Sequence, residues 1–509
     1  MKKLLDVEKT RGEQHADNQR NSVHRSSLLV PALPNSDVSI SFLNHFLIKR
    51  GITSVGCKVT AIDKTGQRLV SHLTVIDEPR VYTLYLQRDF NVEAASFLVE
   101  FFSSENIFIP FPAVMVNHRT KNALSGVHSF NRVLADVFED DDVNAIHVQE
   151  AAIDIVQNPG LSTFFVLAAG PFNLQAPITL RLSTSDSELT HSLNVNIPRF
   201  TQQLFELRDV VPAWSQLQGI LFIDQPDQKL FYGRLFVGQI AKDGSFVGNH
   251  SYYDSSHVEG EFWADNNPSF RTYPVIQELD ALIRFYPIMS PSEIALTVVF
   301  NSSDGKQLGA TSTRNLLSPS ADFFELDLRK SAIEASVDIA AVNSFTVQAI
   351  PLSGNTPTRI NHQIVYRQSA IESSINISLQ NYNVLHSKSK VRTSWGQIVN
   401  SSEFDTWLSI TNDGYEDPVS TVEVKLFDES GYVGSETVTV PTRSAATMKI
   451  STMLLRNNLA PKGEFVWYEI ECPNYFLTAF SISHNIKSNH CGSIEHRHCK
   501  RLLWTGGSK

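Results

Sequence analysis

Trp407-Leu-Ser-Ile-Thr-Asn412, the polar Asn412-Asp-Gly-Tyr-Glu-Asp-Pro418, and Val422-Glu-Val-Lys-Leu-Phe427 closed by Asp428-Glu-Ser-Gly431 form the stretch whose reading decides the fold. Apolar and polar residues alternate with period two along each run, which gives a strand one buried and one wet face, and the Asp/Gly turn ends it. Further runs follow at Thr437 to Val440, Thr447 to Ile450, Glu464 to Ile470 and Tyr475 to Ile482. Short strands at such even spacing predict an antiparallel β-sandwich.

The same phrases recur upstream. Val38 to Phe42, Val55 to Ile62 and the turn Asp63-Lys-Thr-Gly66 repeat the opening, followed by Thr83 to Leu86, Phe97 to Phe101 and Phe108 to Val116. Another copy reads Leu282 to Phe285, Ile294 to Phe300, Ser303-Asp-Gly305, Phe323 to Leu328 and Phe345 to Ile350. The second copy is looser, with Phe164 to Leu167, Ile178 to Leu182, Leu204 to Leu207, Gly219 to Ile223 and Leu230 to Val237, and its turn Ser185-Asp-Ser187 lacks the glycine. The chain is therefore expected to be all-β, a tandem array of four sandwiches at 28–130, 159–257, 280–385 and 386–500, each enclosing a separate β core. Around them the reading places a disordered tail at 1–27, an acidic connector at 131–158, a linker at 258–279 and a basic tail at 501–509. The connectors are short and apolar, so adjacent repeats are expected to pack together instead of hanging as beads.

Composition supports several cores: 509 residues are too many for one, and 42% are hydrophobic. A net charge of −10 argues against a nucleic-acid binder, since phosphate contacts need a basic surface. No apolar run is long enough for a transmembrane helix, and no apolar region follows the basic start of a classical signal peptide. With only four cysteines, this favours a cytoplasmic, reducing setting, with non-classical export left open.

No Gly-x-Ser-x-Gly elbow, P-loop, Gly-x-Gly-x-x-Gly or His-Glu-x-x-His motif occurs. The four carboxylates of Phe138-Glu-Asp-Asp-Asp142 lack the spacing of a calcium loop and read as an exposed connector. Histidine placement is more informative. His118, His362 and His484 follow the internal turn aspartate of their repeats by 55, 58 and 56 residues, which suggests one shared position at the end of a strand. The loop Asn249 to Trp263 gathers His250, Tyr252, Tyr253, Asp254, His257 and Glu259 outside the period-two pattern; aromatic faces with polar tips suit a binding surface, although the same residues can fill a seam between halves. At the C-terminus, His484, His490, Cys491, His496, His498 and Cys499 supply the ligand types zinc prefers, in no standard finger spacing, and the alternative is a solvated polar tail.

The repeat phrase resembles the immunoglobulin-like and fibronectin-type sandwiches of many array proteins, over most of residues 28 to 485. That resemblance implies the fold and transfers no single function. The expected role is a non-catalytic binding or assembly protein that presents end loops to a protein or carbohydrate partner. The alternative is a metal-binding protein or metal-dependent enzyme, with zinc at the loops after the second and fourth repeats.

Overall fold

The computed structural model describes residues 24–105, 114–128, 131–133, 152–155, 160–184, 186–251, 262–263, 267–285, 293–316, 324–357, 359–368, 371–381, 393–414, 419–471, 476–488 and 490–498. Within these the chain is all-β, and every strand pair is antiparallel.

Each repeat has the same eight-strand plan among the described residues. The first repeat runs His24–Pro31, Asp37–Leu43, Val55–Ile62, Arg68–Ile76, Val81–Tyr85, Ser96–Ser103, Met115–Arg119 and Leu124–His128. Its strands pair in the order first-sixth-third-fourth in one sheet and fifth-second-seventh-eighth in the other. The second repeat uses Ala152–Ile155, Leu161–Ala168, Leu174–Ser183, Glu188–Ile197, Gln202–Glu206, Gly219–Asp224, Phe236–Ala241 and Phe246–His250 in the same two orders. So do the third, from Ser269–Pro274 to Glu372–Asn381, and the fourth, from Thr393–Val399 to Cys491–His498. In the third repeat the two sheets also join, through Phe270 opposite Gln380.

Several first strands begin outside the expected boundaries. His24–Pro31 starts inside the segment read as a tail, Ala152–Ile155 inside the acidic connector and Ser269–Pro274 inside the linker. These strands are buried on both faces, so they lack the polar alternation by which the others were recognised. The acidic run 138–142 and the tails 1–23 and 501–509 lie outside the described residues.

Local chemistry explains the shared plan. In the hairpin between third and fourth strands, Asp63 accepts from the backbone N–H of Thr65 and Gln67, and Asp428 from that of Ser430. The closing residues Gly66, Gly305 and Gly431 have φ of 81°, 79° and 112°, which an L side chain rarely adopts. The second repeat closes its turn without glycine, because the Thr184 hydroxyl accepts from the N–H of Ser187. After the fifth strand each repeat inserts a short helix, Leu86–Phe90, Leu207–Val210, Leu328–Glu334 and Ile450–Arg456. Its first residue is a buried Leu or Ile each time, so the chain turns helical where an aliphatic plug enters the sandwich.

The four repeats form a ring. The fifth-second-seventh-eighth sheet of each lies on the first and sixth strands of the repeat before it, and the first repeat lies on the fourth. Gln397 of the fourth repeat donates to Asn117 of the first at 2.8 Å, and Trp467 Nε1 donates to Ser41 Oγ at 2.8 Å. Ser96 of the first repeat donates to the Phe200 carbonyl of the second. Arg284 of the third reaches Asp154 of the second, and Thr272 N–H of the third donates to Asp413 of the fourth at 2.6 Å. One head-to-tail contact used four times closes on itself, as heterologous contacts do when the rotation allows. The cores merge accordingly: one cluster joins Phe42 and Phe101 of the first repeat to Phe164, Phe236 and Phe246 of the second and Trp467 of the fourth. A second joins Ile364 and Val347 of the third to Trp407 and Ile482 of the fourth, while the second and fourth repeats also keep cores of their own. The four cores expected to be separate are thus partly shared.

Trp467 is 1% exposed, and among the described residues its indole N–H donates to Ser41. Ser41→Ala is expected to cost about 1–2 kcal/mol, the desolvation of that buried donor. An unchanged urea midpoint would contradict it.

Candidate functional site

The eighth strands meet at the centre of the ring. Leu124–His128 packs beside Phe246–His250 and Cys491–His498, and Glu372–Asn381 packs beside the latter two. Their register with the seventh strands places His128, His250, Asn376 and His496 at one equivalent position, opposite Met115, Phe236, Gln363 and Phe480.

The described side chains there make a compact polar cluster. His128 Nδ1 lies 2.9 Å from Glu495 Oε2, and the His128 and His250 rings meet edge to face with centroids 4.5 Å apart. His250 Nδ1 lies 2.9 Å from the Ser251 carbonyl, and Asn376 Nδ2 donates to the His250 carbonyl at 3.2 Å. Asn249 Nδ2 donates to the Ile494 carbonyl at 2.9 Å. Ser125 Oγ donates to the Phe246 carbonyl and accepts from Gly248 N–H. Every repeat thus contributes, and the bonds tie strand to strand. Since Glu495 is buried, His128→Ala, which removes the imidazole 2.9 Å from its carboxylate, is expected to destabilise the ring by about 1–3 kcal/mol. Thermal melting with no shift would refute this.

The turns leading into these strands gather on one face of the ring. Asn122 of the first repeat donates to Asp243 of the second at 2.7 Å, and its carbonyl accepts from Asn485 of the fourth at 3.2 Å. Ile371 of the third packs with Ala123 and Val247. His490 lies in the same group; burial lowers its pKa, and the Asp243 carboxylate partly opposes that shift. Exposed Lys121, Lys242 and Lys487 rim this face.

Of the loop residues singled out from sequence, His250 is buried at the ring centre, while Tyr252, Tyr253, Asp254, His257 and Glu259 lie outside the described residues. In the C-terminal group, His484 and Cys491 oppose each other across neighbouring strands, yet each is committed to packing. The His484 ring stacks on Trp407 at 4.0 Å, and Cys491 sits in an apolar cluster where burial pushes its thiol up to about 12. The side chains of His496 and His498, and Cys499 altogether, fall outside the described residues. Among the described residues no three His, Cys, Asp or Glu side chains are grouped so that they could hold a metal.

The register corrects the expected equivalence of three histidines. The strand residue facing the last residue before the helix is Ser39, Leu282 and Trp407, and two residues before each stands an aspartate, Asp37, Asp280 and Asp405. Opposite these stand Arg119, Arg367 and His484. His118 therefore sits one residue before that position and His362 five before it. Counting along the chain misplaced His362 because the third repeat has more residues between turn and strand, and it set His118 one residue short. The axial position was missed for the same reason: only register reveals it.

Comparison with known proteins adds little. No family model and no curated protein matches the chain. Among solved structures it is similar to a tetra-tandem repeat in the extending region of a large adhesion protein, at 10% identity over 93% of this chain and 98% of that one, with a TM-score of 0.09. It is also similar to the FN1-FN3 domains of chicken CNTN1, at 9% identity over 70% and 95%, with a TM-score of 0.10. At such scores neither fixes the arrangement or the role of this chain. No helix among the described residues is long and apolar enough to cross a membrane.

Proposed function

We propose that the chain is a non-catalytic binding and assembly protein, a four-sandwich ring that offers the face built by its seventh-to-eighth strand turns to a protein partner. The supporting observation is that turns from all four repeats gather on one side, held by Asn122–Asp243, Asn485–Asn122 and the Ile371 contact. Such a composite surface is rigid because each turn is braced by another repeat, and rigid scaffolds position binding loops well. His128 and His250 beneath it are engaged with Glu495 and the Ser251 carbonyl, which favours recognition over chemistry. Lysines mixed with Asp243 and Asn122 give the polar, adaptable character of a non-obligate interface.

A photo-crosslinking residue placed at Lys121 or Lys242 tests this in extract of the source cells, with Thr190 on the periphery as the reference site. A single recurrent protein adduct at both turn sites and absent at Thr190 is the expected result. Equal or no adducts at the three sites would overturn the proposal. The ring itself predicts that limited proteolysis does not release four separate repeats, since each is bound on two sides; four early fragments of repeat size would contradict that.

A further inference from the structure

In every repeat the fourth strand is the outer edge of its sheet. Among the described residues, three of these edges are defended as exposed strands usually are. Glu188–Ile197 turns Thr190, Ser192, Asn194 and Asn196 outward; Gly431–Pro441 turns Ser435, Thr437 and Thr439 outward and leaves one ring, Tyr432, exposed at its start beyond a register shift; and Gln307–Ala310, where Leu308 is exposed, is only four residues long. The first repeat differs. Arg68–Ile76 directs Leu73 and Val75 to its outer face, 62% and 55% exposed, and Leu69, 47% exposed, lies where the register shifts between Ser71 and Arg68. The opposite face of that strand meets the sandwich, where His72 stacks on Phe90. Apolar residues at these outer positions are not demanded by the fold, because the second repeat builds the same strand with Thr, Ser and Asn there.

The strip continues inward. Gly56, opposite Val75, lies under the Phe102 ring, and a Cβ at Gly56 would come within 2.6 Å of it. The missing side chain lets Phe102 lie across the third strand toward Val75. A polar rim, Arg25–Glu100–Lys58, borders the strip on its far side.

We propose that this edge pairs with the same edge of a second copy of the chain, antiparallel about a two-fold axis at His72. That register sets Leu73 opposite Ser71 of the copy, so the two Leu73 side chains become diagonal neighbours and join the flanking Val75 side chains in one apolar patch across both strands. Each strand enters from Asp63, Lys64 and Arg68, a net positive end, and leaves to Asp77, Glu78 and Arg80, a net negative one in which Arg80 pairs with Glu78. Antiparallel pairing therefore sets the basic end of one strand against the acidic end of the other. The contact is self-complementary, as a two-fold interface requires. Centred on Ser71 to Leu73, it satisfies backbone groups that the edge exposes.

Sedimentation velocity of the full chain tests this. The wild type is expected to dimerise reversibly, Leu73→Lys to raise the dissociation constant at least tenfold and Arg68→Glu to weaken it less. The exchange Arg68→Glu with Asp77→Lys is expected to restore pairing, because it reverses both ends together. Both sites are exposed, and circular dichroism checks that the variants fold. A wild type that stays monomeric up to millimolar concentration overturns the proposal and leaves the strip to a strand of another protein. A dimer indifferent to Leu73→Lys and Arg68→Glu overturns it as well.

Discussion

Arg284→Met is expected to destabilise the chain by about 3–5 kcal/mol, the cost of removing one member of a buried ion cluster and leaving the others uncompensated. Arg284 is 2% exposed and lies on the second strand of the third repeat, against the first strand of the second. Its guanidinium bonds Glu372 twice, at 2.8 and 3.0 Å, Glu325 at 2.7 Å, and Asp154 across the seam. Burial raises the Asp154 pKa although Arg284 pulls it down, so loss of the cation leaves a carboxylate that refolds most easily when protonated. The deficit should therefore shrink as pH falls. Asp154→Asn is expected to cost less, about 1–2 kcal/mol, because Arg284 keeps Glu372 and Glu325. Urea unfolding of both variants checks the order. If Asp154→Asn proved the more damaging, the seam would not be organised around Arg284.

Acid is expected to weaken the ring well above the carboxylate range. His118 and His362 are both fully buried, and burial pushes each pKa down from 6.5 to about 3. The His118 ring lies against Phe236 and Phe246 of the second repeat, with no hydrogen-bond partner at either nitrogen among the described residues. His362 bonds the Tyr273 hydroxyl and faces the Ile360 carbonyl. An imidazole with a depressed folded pKa binds its proton more readily in the unfolded chain. Its stabilising share is complete above the unfolded pKa, near 6.5, and is lost as pH falls toward 3. At pH 5 each contributes a loss of about 2 kcal/mol, so the pair accounts for about 4 kcal/mol between pH 7 and pH 5. Asp413, pushed up to about 6 by burial, works the other way: its share is present at low pH and lost as pH rises through 6, which softens the slope. His118→Leu should halve the acid loss while leaving stability at pH 7 close to wild type. A variant as acid-sensitive as the parent would show that His118 is protonated elsewhere on the pathway or already charged when folded.

Much of the fold was legible because its cause is local. Val422 to Phe427 alternates because one face is buried, and the Asp/Gly turns are dictated by positive φ, so a few consecutive residues report each element; Trp407 to Asn412 also alternates, but both its faces are buried, Leu408 and Ile410 in its own core and Trp407 against the third repeat. The second repeat looked looser for a local reason too, its Thr184 turn. The short helices went unread. Leu86, Leu207, Leu328 and Ile450 begin runs of only four to seven residues, shorter than two turns, where helical periodicity cannot show itself. The recurring aliphatic residue at the end of each fifth strand was the available sign.

What the sequence determined by itself is therefore the class, the number of sandwich units and most strand positions, all consequences of alternation and turn chemistry within a few residues. The tertiary structure alone decided the ring, its shared cores, the central meeting of His128, His250, Asn376 and Glu495, and the contrast between the Leu69–Val75 edge and its three counterparts. Each seam is specified by one or two residues hundreds of positions apart, such as Arg284 with Asp154 and Trp467 with Ser41. Such pairs have no period and no neighbouring motif. Their complementarity in shape and charge exists only once the repeats are folded and brought face to face, and that is why the ring is absent from the pattern of the chain.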